Sequence, residues 1–172
     1  DIQPVATLGL SNAHRGLPTA YSKRSHASHK GQFGDVAIVG GDAGKEGAAI
    51  LAAHAALKAG AGRVFLSFLS TTPDTRTSTQ TSAPHHSVIP DLMVRPWTDI
   101  DLAGSTVVAG CGGDKAIASA MPTLISTCPS LVLDADALNV LATNNHWQDQ
   151  LRMRHARGWS TILTPHPKEA AR

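Results

Sequence analysis

From Asp35 onward the chain alternates between short apolar runs and longer mixed segments. "DVAIVGG" is an apolar run closed by glycines, "AAILAAHAALKAGAG" is rich in strong helix formers and stops at Gly60, and "RVFLSFL" is a second β-rich run. This order predicts a strand, a glycine turn, a helix and a strand, the βαβ unit, with a right-handed crossover. The same texture returns in "STVVAGCGG", "SLVLDADALN" and "STILTPHP", each an apolar run ending in Gly, Asp or Pro. Between these runs, "DKAIASAMPTLIST", with Pro122 inside, and "NHWQDQLRMRHARG" are predicted to be helical, and "HHSVIPDLMV" to carry a short strand.

Strands that are apolar almost throughout are expected to be buried on both faces, as in parallel sheets. The predicted fold is therefore α/β: a three-layer, doubly wound, mostly parallel sheet. Before Asp35 the periodicity is weak, and "NAHRGLPTAYSKRSHASHKGQFG" reads as a linker or extended arm. Val5 to Leu10 forms one apolar piece there, a candidate strand of something upstream. "STTPDTRTSTQTSAP" reads as a hydroxyl-rich connection.

Composition narrows the function classes. Hydrophobic content of 42% and charged content of 16% fit a globular chain, and 4% aromatics leave the core to Ala, Val, Leu and Ile. A formal charge of +2 gives no argument for nucleic acid or a membrane surface. The longest apolar stretch, Ala48 to Leu57, is interrupted by His54 and is too short to span a bilayer. Cys111 and Cys128 form no CxxC pair and are read as reduced thiols, and Asp1-Ile2-Gln3-Pro4 offers no basic leader region. A cytoplasmic protein is the expectation.

In open parallel sheets ligands bind beyond the carboxyl ends of the strands. That rule selects residues 40–47, 110–114, 134–139 and 164–169, which are also rich in Gly, Asp and His. "GGDAGKEGA", from Gly40 to Ala48, sets glycines before a helix N-terminus, where free N–H groups and the dipole favour an anion. It is neither a Walker A loop nor GxGxxG, and a plain strand-to-helix turn is the alternative. "GCGGD", Gly110 to Asp114, has the same placement and the same two readings, its glycines allowing close ligand approach. "LDADALN" puts Asp134 and Asp136 at a strand end and Asn139 a helical turn later. One aspartate is read as functional, the other as a cap, with Asp134 placed to cap the following helix. His166 stands between two prolines that restrict the backbone around it, and a surface turn is the alternative. Paired carboxylates such as Asp134 and Asp136 can bind a metal, orient hydroxyls or act as acid and base, whereas His26, His85 and His86 form no metal-ligand spacing, and no metal is assigned.

Taken in order, "SHKGQFGDVAIVGGDAGKEGAAILAAHAALKAGAGRVFLSF", "PDLMV", "VVAGCGGD", "LVLDADALNVLA" and "ILTPHPKEAAR" resemble the C-terminal domain of bifunctional NAD(P)H-hydrate repair enzymes. These are ADP- or ATP-dependent NAD(P)H-hydrate dehydratases, a branch of the ribokinase-like fold. The resemblance covers roughly Ser28 to Arg172. It implies a lyase acting on the S-epimer of hydrated NADH or NADPH at the expense of ADP or ATP, with Mg2+. By phosphorylating the added hydroxyl, the enzyme would make it a leaving group.

Residue by residue, the resemblance places hydrate-binding positions at Ala48, at Gly112 or Gly113, and at His166, with Gly41, Asp134, Asp136 and Asn139 lining the same cleft. Two departures stand out. "GCGGD" is one residue shorter than the family's usual "GPGLG", and Lys168 replaces a glycine after "PHP". The family's "GTGD" segment, which carries the anion hole and the base, does not occur in the 172 residues. The expected division is therefore residues 1–27 as a linker or the tail of a fused epimerase domain, and 28–172 as the front part of a dehydratase domain. The sheet would be C-terminally incomplete, the chain inactive alone and a homo-oligomer possible. A vitamin-kinase fragment of the same fold and a non-catalytic dinucleotide-binding remnant are the alternatives.

Overall fold

A computed structural model describes residues 29–70 and 90–171. The proposed linker, the candidate strand at Val5 to Leu10 and nearly all of the Ser/Thr-rich connection lie outside the described residues. Within them the chain forms β1 (Asp35–Gly40), α1 (Glu46–Lys58), β2 (Arg63–Phe68), β3 (Met93–Val94), β4 (Ser105–Ala109), α2 (Met121–Thr127), β5 (Ser130–Leu133), α3 (Asp136–Ala142), α4 (Asn145–Ala156), β6 (Ser160–Leu163) and α5 (Pro167–Ala170).

All strand pairs are parallel, and the six-stranded sheet has the order β3-β2-β1-β4-β5-β6. The chain winds outward from β1 in one direction, then returns to place β4 on the other side. The topological switch point therefore falls between β1 and β4.

The period-2 alternation of the strands sorts their side chains into two cores. Ala37, Val39, Phe65, Val107, Ala109, Leu131 and Leu133 face α2 and α3, meeting Met121, Leu124, Ile125, Leu138 and Leu141. Ile38, Val64 and Leu66 point the other way and meet Ala49 and Ala53 of α1. These are the three layers expected from the sequence. Small alanines let α1 lie close to the sheet, and α1 ends where Gly60, at φ 103, leaves the helix.

The segment around Pro122 is helical, as expected: a 3-10 helix, Asp114–Ser119, followed by α2. Proline has no N–H to donate and is tolerated in the first helical turn, where Pro122 sits. One expectation needs correction: β6 is not buried on both faces. Ile162 is 56% exposed and Leu163 47%, because β6 is the edge of the described sheet and α1 covers only the β1–β2 side of its face.

Candidate functional site

The loops that leave β1 and β4 meet at the switch point. Gly41 N–H donates to the Cys111 carbonyl at 2.9 Å, Asp42 N–H to the Gly112 carbonyl at 2.7 Å, and Gly110 N–H to the Val39 carbonyl at 3.0 Å. The glycines make this interlock possible, by a different route from the expected one. A Cβ at Gly40 would overlap the Cys111 carbonyl, and one at Gly110 would overlap the Asp134 carbonyl. At Gly112, with φ +62, it would lie 2.5 Å from the Lys45 carbonyl and 3.0 Å from the Ala48 Cβ. The missing side chains make room for the neighbouring loop. The open glycines are Gly44 and Gly47, which have nothing within 4 Å of an added Cβ.

Ala48 and Gly112, the two positions drawn from different loops, are thus brought side by side. Ala48 is exposed in the first turn of α1 and Gly112 is half-buried. Gly113 is buried, with Ile117 and Leu69 beneath it, and Gly41 is buried against Phe68, Ala49 and Glu46. The rim carries charge. Lys45 Nζ donates to Asp114 Oδ2 at 2.7 Å across the two loops, and this bond raises the lysine pKa and lowers that of Asp114. Asp114 itself holds a left-handed φ of 44, and its N–H donates to Asp136 Oδ2 at 2.8 Å. Asn139 Nδ2 donates to the other oxygen, Asp136 Oδ1, at 3.3 Å.

Asp134 does not cap α3. The N-cap position falls on Ala135, which has φ 45 and no side-chain cap bond. The Asp134 carboxylate instead bridges the ends of three strands. It accepts the Thr164 hydroxyl at Oδ1 (2.6 Å) and the Cys111 thiol at Oδ2 (3.4 Å). Burial, followed by the charge of Asp134, pushes the Cys111 pKa up to about 12.

His166 lies at the far side of this row, after the edge strand. It is the N-cap of α5, with Pro167 in the first turn. Its Nδ1 accepts the Lys168 N–H at 3.1 Å, and its Nε2 faces Glu169 Oε1 at 3.1 Å. An accepting Nδ1 leaves the proton on Nε2, so the ring is held in one tautomer as well as one orientation. No contact joins His166 to the Ala48–Gly112 pair. Two strand intervals separate β6 from β4, or about 10 Å.

Three features escaped the sequence reading: the Lys45–Asp114 pair, and Thr164 and Cys111 as donors to Asp134. Lys45 and Asp114 are 69 residues apart, and no local spacing signals their pairing. Thr164 carried the only available clue, a hydroxyl at the end of an apolar run. Among the described residues no group of three or more His, Cys, Asp or Glu is placed to hold a metal ion. The lead-in His29–Lys30 lies away from the site, because Gly62, before β2, packs against the Lys30 carbonyl at the amino ends of the strands. Among the described residues no helix is long and apolar enough to cross a membrane.

Residues 36–172 match the NAD(P)H-hydrate dehydratase family. The chain is 35% identical over 165 residues to the ADP-dependent (S)-NAD(P)H-hydrate dehydratase of Neisseria meningitidis, covering 91% of this chain and 51% of the relative. It is 34% identical over 160 residues to the bifunctional NAD(P)H-hydrate repair enzyme of Escherichia coli, covering 87% of this chain and 27% of that protein. Among solved structures, a Streptococcus mutans protein superposes with a TM-score of 0.60 at 28% identity, covering 86% of this chain and 51% of that one. An ADP/ATP-dependent NAD(P)H-hydrate dehydratase of Bacillus subtilis, co-crystallised with ATP/Mg2+, superposes with a TM-score of 0.56 at 21% identity. That likeness covers 87% of this chain and 50% of the other, and shows the fold. A chain of a ribokinase-like superfamily protein from Enterococcus faecalis superposes similarly, with a TM-score of 0.57 at 17% identity. The chain therefore spans about half or less of the relatives it matches in sequence, and by the family match over residues 36–172 it belongs to the NAD(P)H-hydrate dehydratase family.

Proposed function

We propose that the chain forms the hydrate-binding part of a dehydratase that converts the S-epimer of hydrated NADH or NADPH to NAD(P)H at the expense of ADP or ATP. The supporting observation is the interlock of the Gly40–Lys45 and Gly110–Asp114 loops at the switch point, with exposed Ala48 beside Gly112. In this reading Ala48 and Gly112 form the surface on which the dinucleotide lies. Gly112 takes that place rather than Gly113, which is buried, and buried Gly41 shapes the loop from beneath. Asp134 and Asp136 stand at the carboxyl end of β5, with Asn139 orienting Asp136. Asp134 retains lone pairs for a ligand hydroxyl beside those engaged by Thr164 and Cys111. His166, fixed by Lys168 and Glu169, bounds the cleft on the β6 side.

The described carboxylates form no cage for Mg2+. A magnesium ion commonly keeps waters and binds with substrate phosphates, so it would belong with the nucleotide. Nucleotide binding and the chemical step fall to the further part of the domain that the relatives possess. Residues 1–27 are read as the link to a fused epimerase domain, the arrangement that the bifunctional relatives make reasonable.

The test uses S-epimer NADH hydrate with ADP or ATP and Mg2+, following recovery of reduced-nicotinamide absorbance. The 172-residue chain is expected to bind hydrate without turning it over. A protein extended by the remaining half of the domain is expected to be active. In that extended protein, Ala48→Leu should lose hydrate affinity at an unchanged melting temperature, since Leu is nearly as good a helix former as Ala. Undiminished hydrate affinity in Ala48→Leu would remove the loop from the site.

A further inference from the structure

At the other end of the sheet, where β5 and β6 begin, a pocket of about 260 Å³ opens between α2 and α4. Its walls are Ile125 and Ser126 from α2, His146, Gln150, Met153 and Arg154 from α4, and Arg157 just after α4. The α4 residues recur at helical intervals and so form one stripe. That stripe carries two guanidiniums, an imidazole and an amide, and the lining contains no carboxylate.

Arg154 is the anomaly. It is 1% exposed, and among the described residues neither it nor Arg157 has a carboxylate partner. A buried charge is tolerated when it is paired or well hydrogen-bonded. Arg154 donates from Nη1 to the Ile125 carbonyl (2.8 Å), from Nε to the Thr161 hydroxyl (2.9 Å) and from Nη2 to the Ser160 carbonyl (3.1 Å), and its guanidinium lies over Trp159. Three of its five N–H groups are thereby engaged, all by neutral acceptors. These bonds explain why Arg154 ties α2 to β6. They do not explain why Arg157 and His146 gather at the same opening with no acid to balance them. Gln150 stands beside them, its Nε2 3.2 Å from His146 Nε2.

We propose that this pocket is a second ligand site, independent of the switch-point cleft, and that it takes a small oxyanion, a carboxylate or a phosphate group. Guanidinium forks match both geometries. The volume is below the range usual for drug-sized ligands, which fits a small anion or the anionic end of a larger molecule and excludes a whole dinucleotide. Ile125 and Met153 supply an apolar wall for whatever carries the anion.

The experiment is nuclear magnetic resonance titration of the purified chain with acetate and, separately, inorganic phosphate, with ionic strength held constant by sodium chloride. The Arg154 Nε–Hε signal and the Ile125 and Ser126 amides report the pocket. Saturable shifts at these groups support the proposal, and the anion that produces them at lower concentration identifies the class. Arg154→Met is a poor probe because it removes bonds that hold the fold. Arg157→Gln and His146→Ala change exposed residues, and Arg157→Gln should weaken binding about two- to fivefold. Absence of a saturable shift with either anion overturns the proposal. So do shifts centred on Gly41–Lys45 and Gly110–Asp114, which would assign anion binding to the dinucleotide cleft, and so does an Arg157→Gln affinity equal to that of the unaltered chain.

Discussion

Gly112→Ala tests the interlock at the switch point, and Gly44→Ala is its internal control. Both glycines hold a left-handed φ, +62 at Gly112 and +77 at Gly44. An alanine in that region costs about 1–2 kcal/mol. At Gly44 nothing lies within 4 Å of the new Cβ, so this backbone cost is the whole effect. At Gly112 the new Cβ comes 2.5 Å from the Lys45 carbonyl and 3.0 Å from Ala48 Cβ. Neither contact is the far end of a flexible side chain, so one loop must move. Overpacking of this kind adds about 1–3 kcal/mol. The total at Gly112 is then about 2–5 kcal/mol. For a chain of this size each kcal/mol shifts the melting temperature by about 2–4 °C. Gly112→Ala should therefore melt about 4–20 °C lower, and Gly44→Ala about 2–8 °C lower. Scanning calorimetry on the two variants and the parent decides the matter. Equal depressions would mean that the loops do not touch at Lys45 and Gly112, and the argument for a preformed cleft would fail with them.

Arg154→Met should destabilise by about 2–5 kcal/mol in a denaturant titration, since it strands the Ile125 and Ser160 carbonyls, whereas Arg152→Gln, which loses an exposed pair with Asp149, should cost less than about 1 kcal/mol. Cys111 should react slowly with iodoacetamide at neutral pH because partial burial and Asp134 raise its pKa to about 12, and Asp134→Asn should speed the reaction; a rate equal to that of a free thiol would contradict the half-buried placement beside Asp134. The raised thiol pKa also sets a sign for stability against pH: its contribution is present below the unfolded value of about 8.5 and is lost as pH rises from there toward about 12, visible as a falling melting temperature that Cys111→Ser reduces. Exposed Ile162 and Leu163 on the edge strand should promote self-association of the isolated chain, and Ile162→Lys should lower its concentration-dependent sedimentation; an identical profile for both proteins would show that this edge is not sticky.

The sheet was legible because its information is local. An apolar run followed by a glycine or aspartate marks both a buried strand and its exit toward a helix, and β1, β4 and β5 follow this rule. Strand β6 has the same apolar texture, and its exposure could not be read there. Burial depends on what covers a strand, and α1 reaches only part of that face.

The candidate site was legible in outline for a different reason. Parallel strands bring all their exits to one end, so residues far apart in sequence gather without any local signal of their contact. Position along the chain could therefore select residues 40–47, 110–114, 134–139 and 164–169 as neighbours at one end of the sheet, and the family resemblance Ala48, Gly112 or Gly113, and His166 within or beside them, but not their partners. It could not show that Gly110 is needed by the Asp134 carbonyl, or that Lys45 finds Asp114. The same distinction bears on the glycines. A glycine-rich turn at a helix start looks alike whether its missing side chains admit a ligand or another loop. Here Gly40, Gly110 and Gly112 admit protein, while Gly44 and Gly47 face open space. On the proposed function, a dinucleotide would meet a surface already fixed by backbone bonds between the loops, with little ordering left to do on binding. Preorganisation of that kind lowers the entropic cost of association. It follows that substitutions at Gly110 and Gly112 should act first on folding and through it on binding, while Ala48, whose side chain is exposed in the first turn of α1, is the position at which the two effects separate.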